Sequence, residues 1–447
     1  MADALSNGVS HPQSADGAKM LWHGRFPPGY PVYLSLFGAS VTDLGMLRAN
    51  LAQMLSVLVL MALVLVYARR NTRSWLAALM VLAYVLAHPM LVPWSLELLS
   101  EPLFTCMLLA ICLLGADKTI ARAWLWMSIL IGFACLVRSI GFFIVPPLIL
   151  WVWLSHRSFT RALAAAFLAL APSLLWRALK PAPLSDSGDS YFAQMSVAFG
   201  DMSAGALSVI TTQIGSFVKA FAPFGLPGWL QLLTGGALLW AFFQAFWQQR
   251  KELNFDGWVV LSMMAILIVW PFPSFLDRLV GPIIPIMLVQ ILRNLPLSKQ
   301  SAHQWTWSAT TIALLPALAL CATLSVLLRP ELRLPEADLQ AYMRNASALS
   351  AEDPLSFAKV QYASLRLATD LHTLIPVGEC VSSAIPFWVG LRAQVPIQNT
   401  VKPFSWPNNP CAYVMVINVG ASKEGFSAFY PLPMNADLYR TLLLVQD

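Results

Sequence analysis

The chain has 447 residues, of which 58% are hydrophobic and only 11% are charged, and its mean hydropathy is +0.65. Soluble domains carry about 25% charged residues, so this composition excludes an ordinary soluble protein and indicates one embedded in a membrane. The formal net charge is +6, but no basic stripe is interleaved with aromatic residues, so no nucleic-acid partner is expected.

Residues 1–48 precede the first predicted span, and residues 1–45 are polar or mixed in character. They hold no apolar core after the initiator methionine, so no signal peptide is expected. Such a start is typical of a segment translocated ahead of the first span, and equally of a chain whose first span is missing. The stretch GRFPPGYPVYLSLFG (24–38) ends this outer loop. Its prolines and glycine predict an abrupt turn at the bilayer interface, with a rigid lead-in to a helix as the alternative.

Residues 49–328 form the predicted transmembrane core. About ten apolar spans are expected, at 49–68, 74–92, 102–116, 121–136, 140–155, 159–178, 228–247, 257–272, 279–295 and 305–328. Alternate gaps between them are basic, such as RRNTR (69–73) and HRSFTR (156–161), while the remaining gaps hold nearly all the carboxylates. Because short basic loops stay in the cytoplasm, the carboxylates and both chain termini are predicted to face the outer side.

Two longer segments are expected on that outer side. Residues 180–227 form a loop whose amphipathic second half is predicted to lie along the membrane surface. Residues 329–447 form a tail, and about 115 residues can bury a core of their own. Cys380 and Cys411 in the tail form a disulfide in an oxidising compartment or remain two free thiols. The predicted fold class is an all-α polytopic membrane protein with a small α/β extracytoplasmic C-terminal domain.

Three charged residues stand at predicted outer ends of spans. Glu101 begins a span, where a carboxylate also suits the helix dipole. Arg138 and Arg278 lie at outer ends, where the positive-inside rule disfavours arginine. Charges at such positions are costly and therefore suggest a functional role. The alternative for the two arginines is snorkelling toward lipid headgroups.

An outer cavity lined by arginines and carboxylates, above an apolar groove, suits one kind of reaction. A sugar carried on a polyprenyl phosphate presents its anomeric carbon at the membrane surface, with the lipid tail in hydrocarbon. Arginines can hold the departing phosphate bidentately, and a carboxylate can take the proton from an acceptor hydroxyl. This chemistry needs no nucleotide-binding loop, and the sequence predicts no cofactor and no metal site.

Four motifs carry a resemblance to a known family. They are GRFPPGYPVYLSLFG (24–38), SEPLF (100–104), LVRSIGFFIVPPL (136–148) and DRLVGPIIPIM (277–287). Most of residues 16–330 thereby resemble the GT-C membrane glycosyltransferases, the class that contains protein O-mannosyltransferases and the lipid A aminoarabinose transferase. The resemblance implies inverting transfer from a polyprenyl-phosphate sugar donor, on the outer face, to a lipid, glycan or protein acceptor.

The resemblance also implies site residues, with one departure. In the family, an acidic residue ahead of the proline-glycine turn serves as general base, but counting back from Gly24 reaches Ser10. Asp16 is the nearest carboxylate and the provisional catalytic base; Asp3, a different alignment, or a truncated or inactive chain are the alternatives. The residues predicted to bind substrate are Arg138, Arg278, Glu101, Glu97, Arg25 and Tyr30.

Three other classes of function are alternatives to this hypothesis. A transporter or flippase for lipid-linked sugars typically shows inverted repeats and helices broken near the membrane midplane. The sequence shows neither, and its charges cluster at one interface. A polymerase or ligase of lipid-linked polysaccharide, or a non-catalytic homologue that scaffolds an envelope assembly, are further alternatives. The short loops favour a multi-pass protein of the bacterial plasma (inner) membrane, with its active face periplasmic or extracellular, over one of the endoplasmic reticulum. Membrane lipid is an expected partner.

Overall fold

A computed structural model describes most of the membrane core and a small part of the tail. The described residues are 27–39, 43–91, 94, 98–117, 120, 122–179, 214–223, 226–249, 254–268, 276–294, 381–383, 397–399 and 413–415. The predicted site residues Asp16, Arg25 and Glu97 lie outside these ranges, as do Cys380 and Cys411. Contacts within the chain define two compact units, one of helices and one that contains the strands of the tail.

The first unit is helical in all its described elements. The helices are α1 (Gly29–Leu36), α2 (Asp43–Thr72), α3 (Trp75–Ala87), α4 (Glu101–Ala116), α5 (Ala123–Val137), α6 (Val145–His156), α7 (Phe159–Leu179), α8 (Gly228–Gln248), α9 (Phe255–Ile268), α10 (Leu276–Val280) and α11 (Ile284–Asn294). Two 3₁₀ turns, Ser139–Ile144 and Gly281–Ile283, lead into α6 and α11. Helices satisfy their own backbone hydrogen bonds, which is why apolar stretches adopt them in a membrane.

Four of the described helices are long and apolar enough to cross a membrane. They are Leu47–Thr72, Ser139–His156, Phe159–Ala178 and Gly228–Gln248, and four shorter apolar helices accompany them. The chain is a multi-pass membrane protein, as its composition predicted. The count of about ten spans, the domain limits at 48 and 328, and the sidedness stay predictions.

Two predicted spans differ in detail from the observed helices. The span predicted at 74–92 ends as a helix at Ala87, because the residue before Pro89 is disfavoured in helical geometry and His88 is extended. The span predicted at 279–295 is interrupted by the 3₁₀ turn Gly281–Ile283. Pro282 lacks the N–H that a continuous helix would use there.

Close packing in the core depends on small residues where helices meet. A Cβ on Gly132 of α5 would come within 2.9 Å of Pro172 Cγ, inside α7. Small residues let helix backbones approach closely in membranes, where dispersion contacts drive helix association. The bundle is therefore tight around α5, the helix that ends next to Arg138.

The second unit contains three short strands. They are β1 (Val381–Ser383), β2 (Ile397–Asn399) and β3 (Tyr413–Met415), in the order β2-β1-β3. Both pairings are parallel, with Val381 opposite Ile397 on one side and Tyr413 on the other. Parallel neighbours require a crossover connection, which is compatible with the α/β tail domain that stays a prediction.

Candidate active site at the start of helix α4

A buried carboxylate at the start of α4 holds two arginines. Glu101 is the first residue of α4 and its side chain is completely buried. Arg138 Nη1 lies 2.5 Å from Glu101 Oε1, and Arg278 Nε donates to the same oxygen. Arg138 Nη1 also donates to Ser100 Oγ at 3.3 Å. We call Glu101, Arg138 and Arg278 the arginine–glutamate cluster.

Local turns fix the two arginines where they are. Arg138 ends α5 in an extended conformation, and the following 3₁₀ turn folds back on the helix. A Cβ on Gly141 would lie 2.9 Å from the backbone nitrogen of Cys135, so only glycine fits this turn without a shift. Arg278 lies in the short helix α10, which ends just before Gly281. Gly281 packs against the Trp94 ring, because a Cβ on this residue would lie 2.7 Å from a ring carbon of Trp94.

The electrostatics of the cluster favour an anionic ligand. Two guanidinium groups face one carboxylate, which leaves one excess positive charge. The side chains of Arg138 and Arg278 are 16% and 34% exposed, whereas that of Glu101 is 0% exposed. The carboxylate is therefore internal, and the positive charges lie nearer the surface.

Both arginines retain donors for a ligand. Within the described part of the chain, Arg278 donates only through Nε, to Glu101, and Arg138 only through Nη1. The two terminal amino groups of Arg278 form the edge of the guanidinium that matches two phosphate oxygens. The cluster can thus bind a phosphate while its internal ion pairs stay in place.

The proline-glycine turn packs close to the cluster. Tyr30 in α1 donates its hydroxyl hydrogen to Gln53 Oε1 at 2.8 Å, and Gln53 Nε2 donates to the Trp94 carbonyl oxygen at 2.6 Å. Burial, and then the negative charge of Glu101, raise the pKa of Tyr30 above its ordinary value. The hydroxyl therefore stays protonated as a donor. These contacts tie the turn to α2 and to the segment before α4.

Gly29 sets how closely this turn approaches Arg138. A Cβ at Gly29 would lie 2.7 Å from the carbonyl carbon and oxygen of Leu136. We expect Gly29→Ala to push the turn away from α5 and to cost about 1–3 kcal/mol of stability, as overpacking does. Thermal unfolding in detergent measures the loss. Gly236→Ala is the matched control, because a Cβ there meets nothing within 4 Å; equal midpoints for the two variants would contradict the close contact.

The structure brings together three of the residues predicted to bind substrate. Arg138 and Arg278 contact the same oxygen of Glu101, and Tyr30 lies in the adjoining proline-glycine turn. Asp16, Arg25 and Glu97 lie outside the described residues, and every predicted role, including that of Tyr30, stays a prediction. In the parts of the chain described here, no group of three or more metal-ligating side chains could hold a metal ion.

Two residues beyond those predicted from the sequence contribute to this region. Ser100 accepts a hydrogen bond from Arg138, and Gln53 links the turn to the Trp94 carbonyl. Gln53 is buried within the first long span. A polar side chain inside a membrane span is costly unless it is paired, and that alone could have identified it.

Comparisons with known proteins find similar solved structures. No protein-family model matches the chain, and a search of curated proteins also finds no match. ArnT from Cupriavidus metallidurans bound to undecaprenyl phosphate is 14% identical, with 84% of this chain and 76% of ArnT covered and a TM-score of 0.46. Its apo state gives 15% identity, coverages of 84% and 75%, and a TM-score of 0.45.

A third similar structure is an archaeal oligosaccharyltransferase. AglB from Archaeoglobus fulgidus, in complex with an inhibitory peptide and a dolichol-phosphate, is 12% identical, with 88% of this chain and 57% of AglB covered and a TM-score of 0.46. ArnT and AglB are both GT-C members, the class that the sequence motifs resemble. At this identity and overlap, neither protein assigns a function to this chain.

Proposed function

We propose that this chain transfers a sugar from a polyprenyl-phosphate-linked donor to an acceptor hydroxyl at one face of the membrane. The observation that carries the proposal is the arginine–glutamate cluster, in which Arg138 and Arg278 contact the same buried oxygen of Glu101. In a membrane protein, paired charges of this kind are costly and are retained for function. The acceptor is a lipid, a glycan or a protein.

The surroundings of the cluster suit a phosphate attached to a lipid tail. Phe142, four residues after Arg138, is 39% exposed in the 3₁₀ turn. The cluster lies at the start of the apolar helix α4 and at the end of the apolar helix α5. A phosphate on the guanidinium groups would therefore have apolar surface next to it, where a polyprenyl chain can enter hydrocarbon.

In the proposed step, the acceptor oxygen attacks the anomeric carbon, and the bond from that carbon to the phosphate oxygen breaks. The electron pair leaves with the phosphate, and Arg138 and Arg278 stabilise the charge that develops on it. A carboxylate takes the proton from the acceptor hydroxyl. The products are the glycosylated acceptor and polyprenyl phosphate, with inversion at the anomeric carbon.

Glu101 is better suited to position the arginines than to accept this proton. Two guanidinium groups on one of its oxygens favour the ionised form and oppose proton uptake. Asp16 remains the provisional base. Glu97, Arg25 and Tyr30 are proposed to line the substrate cavity, on the outer face of a bacterial plasma membrane, in a chain that combines a core of about ten spans with an α/β tail.

The proposal is tested by following donor consumption. Purified full-length protein is incubated with a panel of polyprenyl-phosphate sugars and a membrane extract as acceptor source, and products are measured by mass spectrometry. One donor should be consumed, with release of an equimolar amount of polyprenyl phosphate, and heat-inactivated protein should leave it intact. If every donor persists at the level of the heat-inactivated control, the transferase proposal is wrong.

A further inference from the structure

A separate groove lies at the C-terminal end of α2. It has a volume of about 620 Å³ and is lined by Ala62, Leu65, Val66, Arg69, Arg70, Arg73 and Trp75. We call it the arginine groove. Val66 and Trp75 are 53% and 63% exposed, so one part of the lining is apolar and open while the other carries guanidinium groups.

The arginine groove and the arginine–glutamate cluster lie at opposite ends of the bundle. Helix α4 begins with Glu101 of the cluster, and Asp117 directly after its end pairs with Arg70 of the groove at 2.5 Å. The 16 residues of α4 span about 24 Å at 1.5 Å per residue. Since the hydrocarbon core of a bilayer is about 30 Å thick, the two sites belong to opposite leaflets.

The arginines of the groove are held in different ways. The Arg69 guanidinium lies 5.4 Å from the centroid of the Trp75 ring, a cation–π contact that orients it along the apolar wall. Arg70 is held by Asp117. Arg73 directly follows the last residue of α2, has a left-handed backbone with φ of 55°, and is exposed. Three arginines against one aspartate leave two excess positive charges.

We infer that the arginine groove binds an anionic phospholipid of the leaflet opposite the proposed active site. The lipid phosphate would bind the guanidinium groups of Arg69 and Arg73, and an acyl chain would follow Leu65, Val66 and Trp75. A zwitterionic lipid carries its own ammonium, which cancels its phosphate charge. The excess positive charge therefore selects lipids with a net negative headgroup.

Native mass spectrometry of the purified full chain, titrated with phosphatidylglycerol, tests this assignment. An arginine close to the bound headgroup contributes about 1 kcal/mol, or about fivefold in affinity, so Arg69→Gln with Arg73→Gln should weaken binding roughly 30-fold. The matched control is Arg157→Gln with Arg161→Gln, which removes the same charge from another basic loop. Arg157 also has a left-handed backbone, with φ of 50°. The control variant should bind phosphatidylglycerol as the unaltered protein does.

Three results would overturn the assignment. Equal weakening in both double variants would show that overall basic charge attracts the lipid. Unchanged binding in the Arg69/Arg73 variant would show that the groove is not the site. The unaltered protein gives an independent measurement that needs no variant: phosphatidylglycerol should raise its thermal midpoint, and an equal rise with phosphatidylcholine would remove the basis for anionic selectivity.

Discussion

Replacing Arg278 with alanine is expected to lower kcat/KM for the lipid-linked donor by about 100- to 1,000-fold, the usual cost of losing one donor to a developing negative charge. Arg278 contacts Glu101 through Nε, so its terminal amino groups remain for phosphate. Lysine has a single nitrogen and cannot make both contacts at once. We therefore expect Arg278→Lys to recover only a minor part of the loss. Initial rates of polyprenyl phosphate release measure both variants.

Arg177→Ala is the matched control for this prediction. Arg177 lies in the last turn of α7, is exposed, and belongs to no ion pair within the described ranges. Its removal takes the same charge and side chain from the protein without touching the cluster, so turnover should be close to that of the unaltered protein. If Arg278→Ala and Arg177→Ala had equal turnover, Arg278 would have no role in the reaction.

Neutralising Glu101 is expected to destabilise the protein. In Glu101→Gln the two arginines lose their shared counter-charge and repel each other beside a fully buried amide. Removing one partner of a buried ion pair costs about 3–5 kcal/mol. Because Arg278 is one-third exposed, solvent screening reduces the expected loss to about 2–4 kcal/mol. Thermal unfolding in detergent, compared with the unaltered protein, measures it.

Two further variants show whether this loss comes from burial and charge. Glu101→Asp keeps the negative charge and should retain more stability than Glu101→Gln. Asp117→Asn removes a carboxylate from the pair with Arg70, whose side chain is 46% exposed, and should cost about 1 kcal/mol or less. If Glu101→Gln unfolded at the same temperature as Asp117→Asn, the cluster would not contribute to stability as its geometry indicates.

The helical membrane core could be predicted because its cause is local. An apolar run of sufficient length forms a helix in hydrocarbon whatever its neighbours are, and the long span within α2 was predicted in this way. The end of α3 and the interruption before α11 follow from Pro89 and Pro282. The limits of the predicted spans rest on apolar length alone, which does not take these prolines into account.

The candidate site could be predicted only as separate charges. Glu101, Arg138 and Arg278 each stood out because a charge at the outer end of a span is costly. That both arginines meet on one oxygen of Glu101 depends on how α10 packs against the ends of α4 and α5, which lie far from it in the sequence, and no local pattern encodes it. The pairing of Gln53 could not be predicted either, because its partners, Tyr30 and the Trp94 carbonyl, come from other segments.

Direct binding of polyprenyl phosphate, the product expected of the proposed reaction, tests the central role of the arginine–glutamate cluster. Native mass spectrometry would compare the unaltered protein, the Arg138→Ala/Arg278→Ala double variant and Arg177→Ala, with the phosphate-free polyprenol as a second ligand. We predict one bound polyprenyl phosphate on the unaltered protein and on Arg177→Ala, none on the double variant, and weak binding of polyprenol throughout. Equal binding of polyprenyl phosphate by the double variant would contradict the assignment of this cluster to the donor phosphate.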